Sequence, residues 1–541
     1  MRRAVLLALV AAALAVFASP ASAACPAGAR CGTLTVPLDH HGGTAGTLPL
    51  AYATLPATGA RSGTLIFLSG GPGQAAIPFL REFARRVKPL RRSYDIVAVD
   101  QRGTGESGAV SCSGCRAFLN TPETARDLED LRAALGADQL TLYGVSYGAK
   151  VAAEYARRYP ERTAALVLDS PVPVDGLDGS GELRLLAARR VLREVCFPGP
   201  CSATVRDPGA ALTAAVERLP LLGPRVDASG RVRTARVTEA HLYRLLAASD
   251  LDPALRAVLP AAIASAAAGD AAPLLHLGEL RRQPDDPHIN LARFLATTCI
   301  EARLPWAPET PVAERQFVPR PAAFAPFRPR TVLATSATTL CADWPPTPRP
   351  ERVAYPGPDV PVLVISGRDD LRTPLEDARR TAAQYPDATL LAVPGVGHSV
   401  LRNDVGDCAR DGLVAFLSGA PIRGCARRQS SIAAPYVPAS LRRLHPTGRA
   451  LAAVAATLTG VAYDSAFERS RWPGLRAGYV RATRRTLELH GVEWVRGVRV
   501  SGALDQRGRG TLTVRGRVTG TIRYAGGRAR GTLDGRSISL K

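Results

Sequence analysis

Short, wholly or mostly apolar runs recur along the chain at 64–68, 96–99, 140–143, 165–168, 362–365 and 389–393. Each is too brief for a helix, and each suits a strand buried on both faces. Amphipathic stretches lie between several of them, as at 124–135 and 149–158. Strands alternating with helices predict a mostly parallel sheet with helices on both faces. Upstream, 32–56 alternates apolar and polar positions, which predicts antiparallel edge strands. The rhythm breaks after Pro173. Residues 175–358 are rich in Ala, Leu, Arg and Pro with mostly helical periodicity, and they predict an inserted helical cap. The Pro-rich stretch 344–358 is its return linker. The core therefore comprises 25–174 and 359–428. Residues 429–541 form a further domain, helical or irregular to about Arg485. After that, short Gly-punctuated alternating runs at 498–502, 511–514, 521–524 and 537–540 predict a small antiparallel meander. The fold class is thus α/β, with an inserted cap and a β-rich C-terminal domain.

Three bulk features add to this picture. Residues 1–24 read as a secretory signal: Met1-Arg2-Arg3, an apolar run to Phe17, then the small residues Ala21-Ser22-Ala23. The run is shorter than the ~20 residues needed to span a bilayer. Cleavage near Ala23 or Ala24 is expected, so the protein is secreted, outside the cell or on its envelope. An uncleaved anchor and a lipid on Cys25 are the other readings. Ten cysteines, an even number, suit an oxidising compartment. Neighbours in sequence suggest the pairs Cys25–Cys31, Cys112–Cys115, Cys196–Cys201 and Cys408–Cys425, and elimination leaves Cys299 with Cys341. No second Cys pair or nearby His completes a zinc set around Cys112 and Cys115. The net charge is +22, of which residues 430–541 hold +14 (20 basic against 6 acidic residues). That excess reads as a solvated arginine-rich surface or as a face for acidic envelope polymers or anionic lipid. Export argues against nucleic acid.

The chemistry centres on Gly144-Val145-Ser146-Tyr147-Gly148, a G-x-S-x-G pattern placed between a buried strand and a helix. A tight turn there lifts the Ser146 hydroxyl clear of the sheet. The Tyr147 amide at the helix N-terminus can steady negative charge. A serine needs a base, and the base needs an orienting acid. Ser366-Gly367-Arg368-Asp369-Asp370 and Gly395-Val396-Gly397-His398 follow successive strands, where open α/β sheets place their sites. His398 is the base; Asp370, Asp369 and Asp169 are candidate acids. The loop Ser69-Gly70-Gly71-Pro72-Gly73 follows an earlier strand, and Gly71 is the candidate second oxyanion donor. This chemistry calls for no cofactor or metal.

Gly70-Gly71-Pro72-Gly73, Asp100-Gln101-Arg102-Gly103-Thr104-Gly105-Glu106-Ser107 and Gly144-Val145-Ser146-Tyr147-Gly148-Ala149 resemble the prolyl aminopeptidase group of α/β-hydrolases, peptidase family S33. They are closer still to its secreted tripeptidyl-aminopeptidase-like branch. Gly367 to Pro374 resembles that branch's G-x-x-D-x-x-T-P, which puts the acid at Asp370. The resemblance runs from about Cys25 to Cys425 and leaves out the basic tail. Ser69 departs from it, standing where prolyl aminopeptidases have His. The run Asp100-Gln101-Arg102 takes a structural role through a buried ion pair. The resemblance implies removal of single residues or short peptides from a free N-terminus. Cap carboxylates must then hold the substrate ammonium. Glu301 and Asp343, each beside one cysteine of the 299/341 pair, are the candidates, with plain surface charges as the other reading. An esterase or lipase using the same residues is the alternative within the fold. A non-catalytic envelope-binding protein is the alternative outside it.

Overall fold

A computed structural model describes residues 25–110, 114–197, 199–203, 205–281, 286–351, 356–426, 446–467, 469–525 and 528–540. The signal-like stretch 1–24 and Cys112 lie outside the described residues. Eight strands form the main sheet: β1 (Arg30–Pro37), β2 (Thr47–Leu55), β3 (Gly63–Leu68), β4 (Tyr94–Val99), β5 (Leu140–Val145), β6 (Thr163–Asp169), β9 (Val362–Gly367) and β10 (Ala388–Val393). Their order is β1-β2-β4-β3-β5-β6-β9-β10. The first two pairings, β1 with β2 and β2 with β4, are antiparallel, and all the others are parallel.

Alternation along each strand divides the core. In β3, Ile66 and Leu68 join the cluster under the helices Thr121–Ala134 and Tyr147–Arg158. Leu65 and Phe67 point to the opposite cluster, under Leu80–Arg86 and Cys408–Leu417. Leu65, Ile66 and Leu68 are fully buried. Each such side chain contributes roughly 1.5–3 kcal/mol of burial free energy.

Among the described residues between β6 and β9 there are six helices of nine residues or more, from Glu182–Cys196 to Leu291–Glu301. It also makes a hairpin that the helical periodicity does not predict: β7 (Leu221–Val226) paired with β8 (Val232–Val237). Gly223 and Pro224 mask the first strand. The turn rests on Asp227, whose Oδ1 accepts the amides of Ser229 and Arg231.

Beyond the main sheet, the helix Pro446–Asp464 precedes a second sheet of eight strands. These are β11 (Arg471–Pro473), β12 (Ala477–Ala482), β13 (Thr486–Glu493), β14 (Val498–Asp505), β15 (Arg509–Gly516), β16 (Gly520–Ala525), β17 (Arg528–Leu533) and β18 (Arg536–Leu540). Each pairs antiparallel with the next. The meander thus starts at Arg471, earlier than the alternation from 498 onward suggests. Its first strands are short and interrupted at Gly474 and Gly478, so little alternation shows in the sequence. One face shares an apolar cluster with the cap. At that seam, His276 of the cap meets Asp464 at 2.9 Å, and its ring sits edge-on to Trp494. Disulfides join Cys25–Cys31, Cys196–Cys201, Cys299–Cys341 and Cys408–Cys425. No helix among the described residues is long and apolar enough to cross a membrane.

Candidate active site

Ser146 sits between β5 and the helix Tyr147–Arg158 with φ 57° and ψ −117°, a conformation costly for a residue with a side chain. The backbone holds it there. Its N–H donates to the Asp169 carbonyl at 2.9 Å, and its own carbonyl accepts the Val172 N–H. The flanking glycines are steric necessities. A Cβ at Gly144 would stand 2.3 Å from the Gly148 carbonyl oxygen, and one at Gly148 would stand 2.4 Å from that of Leu68. Across from the serine, Gly71 has φ 103°, and a Cβ at Gly70 would meet the Ser146 Cβ at 2.9 Å. The Gly70–Gly73 loop therefore lies directly against the serine. A cavity of about 70 Å³ opens beside it, with Ser69, Gln74, Phe79, Val145 and Ser399 in its wall.

Asp370 and His398 follow the adjacent strands β9 and β10. His398 Nδ1 lies 2.9 Å from Asp370 Oδ2. The Asp370 carboxylate is fully buried and also accepts the amides of Arg372 and Thr373 and the Thr373 hydroxyl. Burial alone would raise its pKa. His398 and these donors outweigh burial and hold it below the usual carboxylate range. Ser146 Oγ makes no hydrogen bond to the ring here. The two residues share one rim: Thr373 Oγ1 touches both His398 Nδ1 and the Ser170 carbonyl, one residue beyond the Asp169 that holds the Ser146 amide. Such a serine–imidazole bond is often long without substrate.

The other candidate acids point elsewhere. Asp369 faces Arg256 Nε at 3.5 Å. Asp169 accepts the Tyr143 hydroxyl and the amides of Val400 and Leu401. It thereby anchors the segment just after His398. Burial raises its pKa in spite of these bonds.

The two cap carboxylates part ways. Glu301 is buried, and its oxygens accept from the Thr121 amide, the Thr121 hydroxyl and Lys150 Nζ. Burial favours its neutral form, but Lys150 and the Thr121 donors together outweigh burial and lower the pKa. As it stands, Glu301 is spent on Lys150 and Thr121, one turn along from Tyr147. Asp343 is exposed. The Cys299–Cys341 disulfide ties their segments together. Tyr147 itself is buried, with its hydroxyl 3.0 Å from Thr121 Oγ1 and 3.4 Å from Arg293 Nη2. Burial, reinforced by Glu301, pushes that phenol's pKa up.

Sequence reasoning missed a clamp from the cap. The Asp250 carbonyl accepts the His398 N–H at 2.9 Å, and its carboxylate meets Arg372 Nε at 3.1 Å. Arg256 donates to the carbonyls of Ser249, Asp250 and Gly395. One cap segment thus grips both the acid loop and the histidine loop. A Cβ at Gly397 would stand 2.0 Å from the Asp250 carbonyl, so the glycine before His398 makes room for the clamp. That glycine was the only local signal of it. Asp100-Gln101-Arg102 braces the same rim. Asp100 accepts the amides of Ala76, Ile77 and Glu106, Gln101 holds the Ser69 carbonyl, and Arg102 pairs with Asp127 at 2.6 Å.

Residues 63–222 match the alpha/beta hydrolase fold family, and residues 326–423 match the TAP-like protein family. Serine protease Hip1 of Mycobacterium tuberculosis is 28% identical over 459 residues, covering 73% of this chain and 86% of that protein. Tripeptidyl aminopeptidase of Streptomyces lividans is 30% identical over 189 residues, 26% of this chain and 35% of that one. Proline iminopeptidase of Neisseria gonorrhoeae is 36% identical over 104 residues, 19% and 31% of the two chains. With both segments in one chain and relatives of this kind, the protein is a serine hydrolase of the α/β-hydrolase fold, of the peptidase kind.

Proposed function

We propose that the protein is a secreted exopeptidase that releases single residues or short peptides from free N-termini. Ser146 Oγ attacks the scissile carbonyl carbon and His398 Nε2 takes the hydroxyl proton. Asp370 holds the ring through Nδ1 and steadies the imidazolium that forms. The amides of Gly71 and Tyr147 face the developing oxyanion. As the C–N bond breaks, His398 returns the proton to the leaving amine. Water, deprotonated by the same imidazole, then cleaves the acyl-enzyme. The observation that carries this reading is the buried Asp370–His398 pair beyond β9 and β10, on the same sheet rim as a serine held at positive φ after β5. Of the two cap carboxylates, exposed Asp343 is the one open to a substrate ammonium. The disulfides among the described residues and the signal-like N-terminus support export.

The test is a panel of aminoacyl, dipeptidyl and tripeptidyl amides, each with a free and a blocked N-terminus, against wild type and Ser146→Ala. Free N-termini should be processed and blocked ones spared, with Ser146→Ala inactive on all. Faster turnover of blocked peptides or simple esters overturns the exopeptidase reading.

A further inference from the structure

The second sheet buries one face and opens the other. Register sorts the open side chains into rows that cross the strands. One row is entirely hydroxyl: Ser501, Thr513, Thr521, Thr532 and Ser537, paired strand to strand from β14 to β18. At ~4.8 Å between strands it spans about 19 Å. Arginines flank it on both sides. Arg523 pairs directly with Arg530 on one side, and Arg499 with Arg515 on the other. All four are exposed. Two residues further out, Arg509 and Arg528 both pair with Ala525.

Two things make this more than a solvated surface. Like charges placed directly opposite on neighbouring strands destabilise a sheet. Here they occur twice in register, and only Arg499 has an acid, Glu493, opposite it on its other side. Nine arginines and two aspartates occupy 498–540. One of the two, Asp505, is engaged by the amides of Arg507 and Arg509. Arg499 shares Glu493 at 3.2 Å, but Arg515, Arg523, Arg528 and Arg530 make no ion pair among the described residues. Second, a line of hydroxyl donors between guanidinium forks is the donor set that phosphate oxygens take. We propose that this face binds a linear phosphodiester polymer laid across the strands, its phosphates held between the arginines and over the hydroxyl row.

The rest of the face narrows the choice. The apolar members of these rows are Ala503 and Ala525. Neither is a large side chain that could enter a bilayer. No aromatic ring stands in the rows to stack on nucleic-acid bases. The apolar side chains Val500, Leu512, Ile522 and Leu533 all turn to the buried face.

The experiment titrates the full chain with poly(glycerol phosphate) over a series of salt concentrations. Parallel arms use vesicles containing anionic lipid and single-stranded DNA. Binding of the polymer should weaken linearly on a log–log salt plot. Replacing Arg515, Arg523 and Arg530 together by Ser should cut affinity roughly tenfold or more and lower the slope by about 3. Thr521→Val with Thr532→Val should weaken binding while leaving the slope unchanged, as loss of uncharged donors requires. Neither set should alter turnover of a small peptide amide. The proposal fails if the triple variant binds like wild type or if the valine pair has no effect. It fails equally if vesicles or DNA bind as tightly as the polymer at matched charge.

Discussion

The hydrolase core and the C-terminal sheet treat charge in opposite ways. In the core, cations are taken out of water and matched. Arg102 meets Asp127 at 2.6 Å, Lys150 meets Glu301 at 2.5 Å, and His398 meets Asp370 at 2.9 Å, with every partner buried. In the C-terminal sheet, arginines stand in solvent, twice opposite one another. The first pattern spends charge on internal geometry, because an unmatched ion in the interior is ruinous. The second leaves charge available to the outside, because exposed ions cost little and bind little on their own. Removing a charge should therefore be severe in one region and nearly free in the other.

The largest expected effect is chemical. Asp370→Asn keeps the shape but removes the charge that orients His398. Turnover should fall by about 10⁴-fold, with thermal stability little changed. A drop below tenfold would take Asp370 out of its proposed role.

Next comes a buried pair with no contact to the reacting atoms. Lys150→Met leaves Glu301 charged and uncompensated, which costs about 3–5 kcal/mol of stability. Denaturant unfolding measures it. Lys150→Met with Glu301→Gln should recover part of the loss, and a single variant as stable as wild type would break the contrast.

How much of this could be read from the chain depends on distance along it. Gly144 is a local necessity, set by a clash with the Gly148 carbonyl four residues on, and a strand–turn–helix pattern exposes it. The six buried strands show in short apolar runs for the same reason. Asp370 is different: Asp369 beside it is equally acidic, and only resemblance chose between them. Partners far apart left no signal. Lys150 and Glu301 are 151 residues apart, and Asp250 reaches Arg372 across 122. Glu301 read as a ligand for substrate because sequence shows a carboxylate but not the lysine that neutralises it. The cap hairpin and the early strands of the meander were hidden by Gly and Pro inside short strands.

A third test uses pH. His40 is hydrogen-bonded to Glu123 at 2.7 Å and Asp130 at 3.2 Å, near Asp127. Burial would lower its pKa, but these carboxylates raise it to about 9. A folded-state pKa above the unfolded value of ~6.5 adds stability that is complete below that value. It is lost as pH climbs through about 9, and the span corresponds to about 3 kcal/mol. Wild type should thus lose stability between pH 6.5 and 9 in denaturant melts. His40→Gln should be flatter over that window and less stable at its lower end. Equal slopes for the two proteins would show that the pair is not matched in the way the core pattern requires.

The smallest effect is the most telling for the contrast, because its sign is opposite. Arg523→Thr removes one member of the Arg523–Arg530 cross-strand pair. Threonine suits a strand, and the like-charge repulsion disappears, so the protein should gain about 0.2–1 kcal/mol. The gain should shrink as salt is raised, since screening already weakens the repulsion it relieves. A loss of stability would mean that Arg523 is matched by a partner on the sheet itself, and the C-terminal face would then follow the same rule as the core.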